Sequence, residues 1–114
     1  MVSGKGIVEK REMPHTHIYQ YLINVDKRIQ IEFELPASIG LLQGGETLTV
    51  SIKSSKPKQT KALLTLQGEI YEIEKNRTGI RYIIFFSGLQ GSITVKKSIP
   101  GMKLKKPVYL SISR

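Results

Sequence analysis

The sequence predicts an all-β chain folded as one antiparallel barrel of about eight strands. Apolar and polar residues alternate with period two in several runs. Glycine, proline and asparagine break these runs at close spacing. No segment shows the apolar spacing of a long helix.

Residues 1–6 are expected to form a flexible N-terminus, and Ile7 to Glu12 a first strand. A second runs from His17 to Val25, where Tyr19 and Tyr21 share parity with Ile23 and Val25 and are expected in or beside the core. A tight turn near Asp26-Lys27-Arg28 leads into Ile29, Ile31, Phe33 and Leu35, which alternate with Gln30, Glu32 and Glu34 and end at Pro36. Ala37 to Leu42 is a short helical candidate. Leu48, Val50 and Ile52 define the next strand. The polar stretch Ser54 to Thr60 reads as a loop. Leu63 to Glu74 forms a long strand whose apolar parity changes midway, from Leu64, Leu66 and Ile70 to Tyr71 and Ile73, with Gly68 near the break as a bulge or corner. The loop Asn76-Arg77-Thr78-Gly79 turns it into Tyr82–Phe86, a strand apolar on both faces. Ser92 to Lys97 and Val108 to Ile112 complete the set.

The 114 residues suit one domain, and the absence of cysteine excludes disulfides, thiolate metal sites and a cysteine nucleophile. It agrees with a reducing cytoplasm. The N-terminus lacks the apolar core of a secretory signal, and no run is long enough for a membrane-spanning helix. Charge is uneven. Eighteen Lys and Arg face nine Asp and Glu, with residues 1–50 carrying net −1 and residues 51–114 net +10. A basic half of this kind suits an anionic partner.

The tripeptide Leu-Gln-Gly occurs at Leu42, Leu66 and Leu89, but the flanks share only strand character, so it marks sheet corners rather than a structural repeat. The copy at Leu89 is expected to be a barrel corner. Catalytic chemistry finds few candidates. Asp26 is the only aspartate, and Glu32 with Glu34, like Glu72 with Glu74, fits the solvated face of a strand. His15 and His17 lack a third ligand for a metal. No cofactor motif is present. Two features remain. Tyr82, Ile83, Phe85, Gly88 and Leu89 form a candidate protein interface, because a second apolar strand face must be covered by something. Lys53, Lys56, Lys58 and Lys61 in one loop region, and Lys96, Lys97, Lys103, Lys105 and Lys106 around another, are candidate contacts to an anionic partner.

Three stretches carry a resemblance to a known family. GEIYEIE at residues 68–74, YIIFFSGL at residues 82–89 and Val108-Tyr109-Leu110 are similar, in order and spacing, to strands of the eighth subunit of multisubunit DNA-directed RNA polymerases. Ser87 stands where that family has glycine, and the short basic loop at Ser54 to Lys61 resembles the compact archaeal form of the family rather than the acidic eukaryotic insertion. The resemblance implies an OB-like barrel in the cytoplasm, without catalytic residues or a cofactor, packing on the polymerase's largest subunit. It would support transcription as a component of a nucleotidyltransferase complex. The alternative is a free-standing OB-fold protein that binds single-stranded nucleic acid through its basic loops. The outer face of the Ile29 strand carries no ring on which a base could stack.

Overall fold

The computed structural model describes residues 2–13, 17–25, 28–36, 42–55, 62–86 and 89–113. Eight strands run in chain order: β1 (Val2–Met13), β2 (Ile18–Val25), β3 (Ile29–Pro36), β4 (Thr47–Lys53), β5 (Leu64–Asn76), β6 (Gly79–Phe86), β7 (Leu89–Val95) and β8 (Pro107–Ser113). They close into an antiparallel barrel in the order β1-β2-β3-β7-β6-β5-β8-β4. The expected all-β, OB-like barrel of about eight strands is therefore what the chain forms.

The alternating runs set the register. Ile31, Phe33 and Leu35 point inward, as do Leu48, Val50 and Ile52 and, on β8, Val108, Leu110 and Ile112. An eight-stranded barrel is just wide enough for its side chains to fill. Here Tyr21, Tyr82, Phe33, Ile23, Ile31, Ile70, Ile84, Ile93 and Leu110 are all but inaccessible to solvent. This filled interior places any ligand or partner on the outside of the barrel.

Three expectations need correction. Residues expected as a flexible N-terminus belong, from Val2 onward, to β1, whose first half pairs with β4 from Val2↔Ile52 to Ile7↔Thr47. Its second half pairs with β2. The bulge in β5 lies between Ile70 and Glu72 rather than at Gly68. Leu89-Gln90-Gly91 is not a corner but the start of β7, paired with β6 from Phe86↔Leu89. The helical candidate at Ala37 to Leu42 lies outside the described residues except for Leu42, which is buried in the core.

The glycines of two Leu-Gln-Gly copies both face the Phe86 ring, and a Cβ on Gly68 would meet the Phe85 carbonyl oxygen at 2.5 Å and Ile84 Cγ2 at 2.6 Å as well. Phe86 points into the core between β5 and β7. A Cβ on Gly68 would sit 2.8 Å from one edge of its ring, and a Cβ on Gly91 2.7 Å from the other. The ring occupies the space two side chains would need. Gly44, in the third copy, would meet nothing closer than 3.7 Å.

Tyr21 stacks on Phe33 at 5.5 Å and meets Tyr19 edge-on at 6.4 Å. Its hydroxyl is buried without a hydrogen-bond partner among the described residues. Burial, and secondarily the neighbouring Tyr19, raises its pKa above the ordinary 10.0. A phenol raised in this way contributes stability that is complete below pH 10.0 and is lost as the pH climbs through the folded-state value. Tyr21→Phe is therefore expected to hold or raise stability by up to about 1 kcal/mol at neutral pH. The variant is also expected to lose less on going to about pH 10.5, above the phenol's ordinary value. Denaturant melts at both pH values measure this.

Candidate functional site

Two surfaces stand out. The first lies on the outside of β5 and β6. Opposite the bulge, Ile70 pairs with Ile84 and Glu72 with Ile83, which leaves Tyr71 without a partner residue and turns its side chain outward. Its ring stacks on Phe85 at 4.5 Å and 28°. Both rings are open to solvent, Tyr71 at 40% and Phe85 at 47%. The neighbouring loop hydrogen-bonds to β5 immediately before Tyr71: the Lys105 N–H donates to the Ile70 carbonyl at 2.7 Å, and the Ile70 N–H to the Lys106 carbonyl at 3.2 Å. That loop also carries Leu104, which is 54% exposed but lies away from the rings, with Ile73, Ser98, Ile99 and Pro100 toward the barrel end. Around the rings stand exposed polar groups: Glu69 and Glu72 on β5, and Gln90 on β7 opposite Phe85.

The structure redistributes the interface residues expected from sequence. Phe85 is exposed and Leu89 half-buried. Tyr82 is 2% exposed and belongs to the core, so it offers no outer surface. Ile83, on the outer face, is 5% exposed, between Glu72 on β5 and Ser92 on β7. Gly88 lies outside the described residues. Tyr71 was missed. The parity change in β5 was its signal.

The second surface is the barrel end formed by the β5–β6 hairpin, the start of β3, the end of β7 and the loop after it. A cleft of about 690 Å³ opens there, lined by Arg28, Ile29, Val95, Lys96, Lys97, Ser98, Ile99 and Pro100. Its wall is anchored from inside the barrel, since the Ile99 N–H donates to the buried Tyr82 hydroxyl at 3.1 Å and the Met102 N–H to the Ile99 carbonyl at 3.2 Å. Tyr82→Phe leaves that amide without its partner and is expected to cost about 1–3 kcal/mol in a urea melt. The same deletion at Tyr21 is expected to cost nothing.

The lysines do not form one group. Lys96 and Lys97 lie at this cleft, joined by Arg28, which sequence reasoning passed over. Lys103, Lys105 and Lys106 are exposed in the loop beside β5, and Lys53 ends β4. Lys56, Lys58 and Lys61 lie outside the described residues.

The carboxylates of the described residues do not assemble into a reaction centre. Glu32 accepts a hydrogen bond from the Ser92 hydroxyl at 3.3 Å, Glu74 lies 3.8 Å from Arg81, and Glu9 pairs with Arg11 at 3.0 Å. No three metal-ligating side chains converge among the described residues. His17 is exposed and His15 lies outside the described set. No helix among the described residues is long and apolar enough to cross a membrane.

No family model matches the chain, and no curated protein matches it. Among solved structures it is similar to the cytoplasmic molybdate-binding protein ModG in a form with molybdate bound, at 16% identity over 98% of this chain and 89% of that one, with a TM-score of 0.43. A likeness of that degree assigns no ligand here. The polymerase expectation is overturned, because no family model, that of the polymerase subunit included, matches the chain. The largest polymerase subunit as partner, and membership of a nucleotidyltransferase complex, fall with it. The single-strand-binding alternative gains no support either. The exposed rings stand beside Glu69 and Glu72, carboxylates that do not favour a phosphodiester chain.

Proposed function

We propose that this chain is a non-catalytic docking barrel that binds a partner protein through the platform of Tyr71 and Phe85. The observation that carries this is the stacked, solvent-exposed ring pair set outward by a bulge. Apolar rings surrounded by polar groups match the anatomy of a protein interface, and aromatic anchors dominate the energy of such contacts. The filled interior and the dispersed carboxylates among the described residues support binding over catalysis. A cytoplasmic location belongs to the same reading and is supported by the lack of cysteine.

Site-specific photocrosslinking in the native host tests it. A benzoylphenylalanine is placed at position 85 or 71, with position 5 on β1 as the control. Discrete adducts with one other protein from positions 85 and 71, and none from position 5, are the expected result. Adducts of the chain with itself, or equal labelling at all three positions, would overturn the proposal.

A further inference from the structure

We infer that the cleft at the hairpin end of the barrel is a second binding site, for an acidic peptide segment that carries an aliphatic or aromatic side chain. The lining has two parts. Ile29, Val95, Ile99 and Pro100 supply apolar surface, while Arg28, Lys96 and Lys97 supply three exposed cations. Among the described residues no carboxylate lines the cleft. An occupant must therefore bring negative charge and apolar bulk together.

Size and shape narrow the class. At about 690 Å³ the cleft is far larger than a simple inorganic anion needs and falls within the range of roughly 300–1,000 Å³ typical of organic ligand sites. Among the described residues its apolar lining is aliphatic, with no aromatic ring on which a base could stack, which disfavours single-stranded nucleic acid. Aliphatic surface fits a leucine or phenylalanine side chain, and flanking carboxylates reach the cations. The wall is held by the Tyr82 and Met102 hydrogen bonds at Ile99, so the cleft is preformed. The Arg28 N–H is tied to the Val25 carbonyl at 3.1 Å, which fixes the backbone that carries this cation.

The site is separate from the aromatic platform. Val95 pairs with Ile80, five residues before Phe85 along β6, a separation of about 17 Å at the rise of a strand. Its success or failure is thus read independently of the platform.

Fluorescence anisotropy on the full chain tests the inference. The probe is a labelled peptide of glutamates flanking a central leucine–phenylalanine pair. Controls are the same peptide with serines at the centre, the same peptide with glutamines for glutamates, and an oligothymidylate of equal charge. The expected result is saturable binding that falls about tenfold or more with either control peptide and with Lys97→Glu, because cation pairing and apolar burial are both required. Lys5→Glu makes the same change in net charge on β1, outside the cleft, and is expected to shift binding less than about twofold at physiological salt, where distant charges are screened. Equal losses for the two variants would show diffuse attraction to a basic chain and overturn the inference. Tighter binding of the oligothymidylate, or no peptide binding, would overturn it as well.

Discussion

Gly91→Val is expected to lower the stability of the barrel severely, by about 3 kcal/mol or more. A Cβ at this position would lie 2.7 and 2.9 Å from two carbons of the Phe86 ring and 2.8 Å from the Glu32 carbonyl oxygen. Neither can retreat. The carbonyl is in the backbone of β3, which pairs with β7 at this level. The ring is closed on its other side by Gly68, where a Cβ would be 2.8 Å away. Valine adds two methyl groups to the clash, and overpacking of this kind costs roughly 1–3 kcal/mol, or more where the backbone itself must shift. Against a total stability of about 5–15 kcal/mol, such a loss is large. Circular dichroism and a urea melt measure it. Gly44→Ala is the informative companion, since its nearest contact is 3.7 Å away, and it is expected to be tolerated. Shrinking the ring with Phe86→Leu should recover part of the loss in a Gly91→Ala background, an interaction visible in a double-mutant cycle.

Phe85→Asp is expected to abolish partner binding while leaving the barrel folded. The ring is 47% exposed and stacks only on another exposed ring, so its removal forfeits roughly 0.5–1.5 kcal/mol of aromatic contact. In a complex the same side chain would be a central anchor, and losing such an anchor costs about 2–4 kcal/mol. That corresponds to a fall in affinity of about thirtyfold or more. Ile83→Asp gives the opposite pattern. Ile83 is two residues away on the same strand face but only 5% exposed. An unpaired carboxylate there is expected to destabilise the free chain. Binding by calorimetry against the partner found by crosslinking, with thermal melts of both variants, separates the two outcomes.

Much of the barrel was legible because its strands obey the simplest pattern. Ile29 to Leu35, Leu48 to Ile52 and Val108 to Ile112 each keep one apolar face, and each face is core. The site was legible only in part. Tyr82 to Phe86 is apolar on both faces, and period-two reasoning identifies the outer set as Ile83 and Phe85. It does not say which of them stays exposed. Side-chain cover from neighbouring strands decides that, and the neighbours of β6 are set by topology: Glu72 and Ser92 flank Ile83, whereas Tyr71 stacks on Phe85. The basic cleft was invisible for a similar reason. Arg28 and Lys97 are far apart in sequence and meet because Ile29 pairs with Val95. The shared tripeptide misled in the other direction. Its glycines looked like corners, and two of them are spaces for a phenylalanine on the strand between them.

The strand order carries a consequence for how the molecule comes into being. β4, β1, β2 and β3 are contiguous in the ring, as are β7, β6 and β5, and β8 lies between β4 and β5. A nascent chain that has not yet released β8 therefore holds two raw sheet edges, on β4 and on β5, with core residues such as Ile52 and Ile70 beside the gap. Unpaired edges are templates for pairing with other chains. The interval between synthesis of β5 and arrival of β8 is thus the period of greatest exposure to wrong partners. Seven residues, from Pro107 to Ser113, end it by pairing on both sides at once.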